Sequence, residues 1–125
     1  MREVYAGDTP DFLLNIKDET GTIIDVTDET KVKNVIIVAY SLFDPGKVLG
    51  SFALDPSLDY SNHTQLATKN GSVELILPAE GTEKCVNEEV VVQIRTIFVD
   101  TSHPTTELKI LTAADVICKI IAYKE

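Results

Sequence analysis

The chain has 125 residues, of which 44% are hydrophobic and 25% charged. That length fits one domain, and such a domain buries roughly two-thirds of the surface its unfolded chain exposes, so it needs no metal or disulfide staple to fold. A formal net charge of −9 and a pI near 4.6 argue against a surface that wraps a phosphate backbone, and leave the acidity to solubility or to docking on a basic partner.

Short β-branched runs separated by turn residues dominate the chain. Leu13-Leu14-Asn15-Ile16, the turn Glu19-Thr20-Gly21 and Thr22-Ile23-Ile24-Asp25-Val26 predict a first β-hairpin with a glycine-bearing loop. Lys33 to Phe43 is a longer run rich in Val, Ile and Tyr, and predicts a central strand. Asp44-Pro45-Gly46-Lys47 is a turn, and Val48 to Leu54 is expected to pair back on the preceding strand. Asp55 to Lys69 is polar and aperiodic, a long loop with room for one helical turn. Asn70-Gly71 is a tight-turn dipeptide, and Ser72 to Leu77 alternates as a strand until Pro78 stops it. Ala79 to Asn87 reads as another loop. In Glu89 to Val99 the strand period places Val90, Val92, Ile94 and Thr96 on one face. Asp100 to Thr106 reads as a turn.

The last segment carries two patterns. Ala113, Val116, Ile117, Ile120 and Ile121 fit helical spacing, with Thr112 and Asp115 as a capping pair. Val116 to Tyr123 is also heavily β-branched, and a strand agrees with everything before it, so a strand is expected. There is no internal repeat and no linker. The expected fold is all-β, a single Ig-like β-sandwich of about seven or eight strands spanning residues 1–125, with a jelly roll or partly open barrel as the alternative. The Cys…Trp…Cys hallmark of true immunoglobulin domains is missing, since the chain has no Trp.

Little in the sequence points to catalysis. His63 and His103 stand alone in expected loops, without the clustered Cys and His spacing that zinc needs. Asp100-Thr101-Ser102-His103 contains the letters of a hydrolase triad, but adjacency along the chain is not triad geometry. There is no nucleophile elbow, dinucleotide fingerprint or phosphate loop. The expectation is therefore a protein that is not an enzyme, with no catalytic, cofactor or metal site. The acidic residues Asp18, Glu19, Asp25, Asp28, Glu29, Asp55 and Asp59 raise a calcium-binding module as the alternative, although their spacing is not that of an EF-hand loop. Tyr60 raises sugar stacking in the same way. Cys85 and Cys118 read as two buried thiols, with a disulfide left open should their strands meet.

No apolar run approaches the roughly 20 residues of a membrane helix. Met1-Arg2-Glu3 leads to polar Gly7-Asp8-Thr9-Pro10 rather than to the apolar core of a signal peptide. A chain made and kept in a cytoplasm is expected, without nucleic-acid or membrane partners.

The opening residues Val4-Tyr5-Ala6-Gly7-Asp8-Thr9, the run Phe12 to Lys17, the turn Asp18-Glu19-Thr20-Gly21 and the run Ile23 to Thr27 resemble the N-terminal module of phage baseplate upper proteins and related small virion proteins. Ile94 to Val99 and Cys118 to Tyr123 are similar to segments of small structural proteins of tailed phages. The resemblance covers the first quarter of the chain, and it does not extend to the long C-terminal part that carries receptor binding in the baseplate proteins. It implies a capsid decoration protein or a tail or baseplate connector, assembled in the bacterial host cytoplasm and acting through interfaces. Its partners would be other virion proteins and copies of itself. The two ends, Met1 to Thr9 and Lys119 to Glu125, are the segments expected to reach a partner.

Overall fold

The structure, a computed structural model, describes residues 1–58, 62–100 and 107–123. In chain order these form β1 (Arg2–Tyr5), β2 (Asp11–Leu14), β3 (Ile16–Lys17), β4 (Ile23–Ile24), β5 (Val32–Ser41), β6 (Val48–Ala53), a 3-10 turn (Pro56–Leu58), β7 (Thr64–Gln65), β8 (Ala67–Lys69), β9 (Ser72–Ile76), α1 (Ala79–Lys84), β10 (Glu89–Asp100) and β11 (Glu107–Ile121). The protein is all-β and sandwich-like, and eight of the described strands have three residues or more.

A six-stranded sheet runs β1-β11-β10-β5-β6-β7, and curls like half a barrel. A three-stranded sheet, β2-β9-β8, and the small β3-β4 pair complete the β-structure. Strand alternation explains how the two larger sheets meet. Val35, Ile37 and Ala39 of β5 and Val90 and Val92 of β10 point inward, into one buried cluster with Phe12 of β2 and Val73 and Leu75 of β9. Each of the Val, Ile, Leu and Phe side chains among them contributes roughly 1.5–3 kcal/mol when fully buried. Val38 and Gln93, one step out of phase, face the other way and stay half-buried.

The turns follow their residues. Lys69 and Ser72 pair across Asn70-Gly71, whose φ values of 52° and 81° give a two-residue hairpin turn of the primed kind. The end of the chain is a strand. β11 buries Cys118 and Ile120 alternately, and pairs antiparallel with β10 across a register shift at Val90/Val91. Ala113, which helical spacing would place on a buried stripe, is exposed.

Three local expectations need correction. The first hairpin shrinks to Ile16–Lys17 against Ile23–Ile24, because the chain breaks at Asn15. Before that break, Asp11 to Leu14 joins β9 instead, where Phe12 packs beside Leu75 in the core. Residues 79–84, expected as loop, form α1 behind Pro78. Within 55–69, the 3-10 turn is joined by the short strands β7 and β8. Of the turn expected from Asp100 to Thr106, Asp100 is the last residue of β10 and 101–106 lie outside the described residues.

Candidate functional site

One end of the six-stranded sheet gathers exposed apolar side chains on a fixed backbone. Its first part is the β5–β6 turn. Ser41 N donates to Lys47 O at 3.0 Å, Lys47 N to Asp44 O at 2.9 Å, and Leu42 N to Glu89 O of β10 at 2.9 Å. Two side chains finish the turn: Ser41 Oγ accepts from Asp44 N at 3.2 Å, and Asp44 Oδ1 accepts from Gly46 N at 3.0 Å. With the backbone held this way, Leu42 and Phe43 project into solvent, 51% and 85% exposed.

An ion pair ties the turn to the strand behind it. Lys47 Nζ lies 2.9 Å from Glu88 Oε1. The hydrogen bond to Lys47 is the main cause holding the Glu88 carboxyl below its ordinary value, and the same contact raises Lys47. Glu88 Oε2 is buried without a hydrogen-bond partner, and after Lys47 the Ser41 and Cys85 side chains also help to hold the Glu88 carboxyl down.

The second part comes from the two chain ends. β1 pairs parallel with β11, Tyr5 opposite Ile121. The Tyr5 and Tyr123 rings then meet edge to face, 6.4 Å between centroids and 86° between planes. Asn87, at a φ of 65°, joins the two parts. Its N–H donates to Ile120 O at 2.8 Å, and Ile120 N returns a bond to Glu88 O at 2.9 Å. One shallow recess is lined by Leu42, Phe43, Val86 and Lys119, a second by Tyr5, Ile121 and Tyr123, and Asn87 borders both. Across the strands, Lys119 lies in register with Glu3 on one side and Glu89 on the other.

The two chain ends expected to reach a partner are thus side by side, as far as Tyr123. Lys124 and Glu125 lie outside the described residues. Phe43 was legible only as the end of an apolar run. The turn signal at Asp44-Pro45-Gly46 was the clue that the run must leave the core there.

The acidic residues do something else. Asp18 Oδ1 accepts from the N–H and hydroxyl of Thr20, Asp25 Oδ1 from those of Thr27, Asp28 Oδ1 from those of Thr30, and Asp55 Oδ1 from those of Ser57. Each carboxylate closes its own turn two residues on. The threonine hydroxyl is in each case the main cause lowering Asp18, Asp25 and Asp28 below the usual carboxylate value. Among the described residues no three His, Cys, Asp or Glu side chains converge as a metal cluster would require.

His63 Nδ1 meets Ser51 Oγ at 2.5 Å, a link between β6 and the segment entering β7. Asp59, Tyr60 and His103 lie outside the described residues. Cys85 and Cys118 are free thiols, both buried. Gly7-Asp8 is explained by a residue far along the chain. Gly7 turns at a φ of 88°, and its N–H donates to Thr82 Oγ1 at 3.0 Å, while that hydroxyl donates to Asp8 O at 2.9 Å. Nothing in the sequence announced Thr82.

The fold and this surface define an all-β domain with a rigidly presented apolar end. No protein-family model, curated protein or solved structure matches the chain. Among the described residues, no helix is long and apolar enough to cross a membrane.

Proposed function

We propose that the chain is a non-enzymatic structural protein of a tailed-phage particle. It acts there as a capsid decoration or auxiliary protein, or as a tail or baseplate connector, through protein–protein interfaces. The observation that carries an interface role is Phe43, 85% exposed at the tip of a turn held by five hydrogen bonds and one ion pair. An aromatic side chain carried on a preordered backbone turn leaves less chain to order on binding, which suits it as an anchor. The resemblance of Val4 to Thr27 to virion proteins supplies the phage setting, and its Gly7-Asp8 turn supports the reading as a built module rather than a loose arm. The all-β sandwich suits the Ig-like modules of such particles, and the acidic surface suits other, basic virion subunits as partners.

Among the described residues the acidic side chains do not converge as a calcium site would require, and Asp18, Asp25, Asp28 and Asp55 each accept hydrogen bonds within their own turns. Mass spectrometry of purified particles from a phage that encodes the chain tests the proposal. Many copies per particle are expected. Absence from particles, with the protein abundant in the infected cell, would overturn it.

A further inference from the structure

We propose that the outer edge of β11 pairs with the same edge of a second copy, antiparallel, about a two-fold axis through Thr112. The inference goes beyond the virion reading and makes no use of the apolar end.

The edge is open over most of its length. β11 runs from Glu107 to Ile121, and β1 covers only Cys118 to Ile121. Among the described residues no strand pairs with the outer side of 107–117. Thr112, Ala113, Ala114 and Asp115 are all exposed, in the middle of a strand. Neighbouring bonds show which backbone groups are free. Glu89 O accepts from Leu42 N at the end of β5, so the odd residues of β10 turn their backbone groups to β5 and the even ones to β11. Val92 and Ile94 stand opposite Asp115 and Ala113, whose backbone groups are therefore used on β10. The N–H and C=O groups of Ile110, Thr112 and Ala114 point the other way, off the sheet. Such a row is a template for another strand.

Any extended chain fits those backbone groups; the side chains select a second copy. With Thr112 on the axis, Lys109 falls opposite the second copy's Asp115, and Asp115 opposite its Lys109. Ile110 and Leu111 fall opposite Ala114 and Ala113, large against small. Outward groups must meet outward groups, so the neighbouring registers lie two residues away. Moved one way, Lys109 meets Ala113, Leu111 meets Leu111 and Asp115 meets Glu107. Moved the other way, Lys109 meets Ile117 and Asp115 meets Leu111. Only the register centred on Thr112 matches both charge and size. The charges around it offset one another. Glu19 is bonded to Lys109, Lys17 and Asp18 line the same recess as Asp115, and Arg95 stands in register with Thr112. Glu107 falls opposite Ile117, one step from Arg2 of β1 in its pairing with Cys118. The overall charge of −9 opposes association at long range, and salt at about 0.15 M screens it beyond about 8 Å.

Sedimentation velocity on the full chain tests this, over about 5 µM to 0.5 mM protein in about 0.15 M salt. A monomer–dimer equilibrium is expected. Thr112→Pro removes an N–H that points away from β10, a change an edge strand tolerates, so it should abolish the dimer and keep the parent's circular dichroism. Charge supplies a second arm that misfolding cannot imitate. Asp115→Lys sets like charges opposite each other in its own dimer, and so does Lys109→Asp. Each variant alone should dimerise about tenfold more weakly than the parent, or worse. Mixed together, they regain opposite charges at both positions and should pair about tenfold more tightly than either does alone. A parent chain that stays monomeric to about 0.5 mM would overturn the inference. So would a dimer indifferent to Thr112→Pro, or a mixture of the two charge variants no tighter than its components. A monomer still found in phage particles would leave the virion reading standing while this inference fails.

Discussion

Thr82 is fully buried, yet its hydroxyl has work on both sides, accepting from Gly7 N and donating to Asp8 O. Valine keeps the shape and removes the hydroxyl, leaving the partly buried Gly7 N–H and Asp8 C=O without that partner. Losing a net hydrogen bond in such a setting costs about 0.5–1.5 kcal/mol. Thr82→Val should therefore lower the urea-derived unfolding free energy by that amount, and an unchanged value would mean water takes over both bonds. The Asp-x-Thr turns behave differently because they sit in solvent. Asp18, Asp25 and Asp28 are lowered below 3.8, first by the hydroxyls of Thr20, Thr27 and Thr30. A depressed carboxyl contributes stability that is complete above its unfolded-state value and is lost as pH falls through the lower folded-state value. The Thr20→Val/Thr27→Val/Thr30→Val variant should thus be less stable than the parent at neutral pH, with the deficit narrowing as pH drops below 3.8. Urea denaturation at both ends of that range measures it, and a deficit that ignores pH would rule out the carboxylates as its source.

In α1, local preference and packing oppose each other at one position. Alanine is a better helix former than glycine by about 0.8–1 kcal/mol. At Gly81, however, a Cβ would sit 2.8 Å from Leu49 O and 3.1 Å from Leu49 Cα, backbone atoms of β6 that cannot swing aside. Overpacking of this kind costs about 1–3 kcal/mol. Packing should win, and Gly81→Ala should lower the melting temperature; a rise would mean α1 can lift off β6 freely. This helix shows where sequence reading stops. Its six residues are fewer than two turns, too short for a hydrophobic period, and Gly81 reads as a breaker until β6 is seen beside it. β10 was legible because alternation along it encodes both strand and face, and β5 because a long β-branched run favours a strand, without naming its inward face. Phe12 to Ile16 was legible as extended chain, but alternation does not name a partner, and β9 rather than β4 took the first half. Of the apolar end, the sequence offered the two chain ends and the Asp44-Pro45-Gly46 turn. Their meeting at Asn87 depends on parallel pairing between strands at opposite ends of the chain, which no local pattern records.

For the whole molecule, β1 is the piece that closes the fold. It pairs with β11 in the large sheet, places Val4 in the core at 5% exposure, and reaches the second sheet through Arg2. The Arg2 guanidinium lies 4.5 Å from the centre of the Phe12 ring and donates to Asp11 O at 2.5 Å. Removing residues 1–6 forfeits up to roughly 1.5–3 kcal/mol of Val4 burial. It also loses about 0.5–1 kcal/mol of cation–π attraction, besides the bonds of the pairing itself. Against a total stability of about 5–15 kcal/mol for a typical domain, the shortened chain should still fold, with a clearly lower urea midpoint. A chemical reporter of the loss is already in place. Cys118 sits opposite Arg2 in the register, fully buried, and burial pushes its thiol up to about 11. Cys85 is also buried, directly after α1, and burial again raises its thiol. In the full chain neither thiol should react with a polar disulfide reagent until urea unfolds it. In the shortened chain Cys118 should react in native buffer while Cys85 stays protected. Equal protection of Cys118 in both chains would mean that β1 is not what covers β11, and the closure assigned to it would fail.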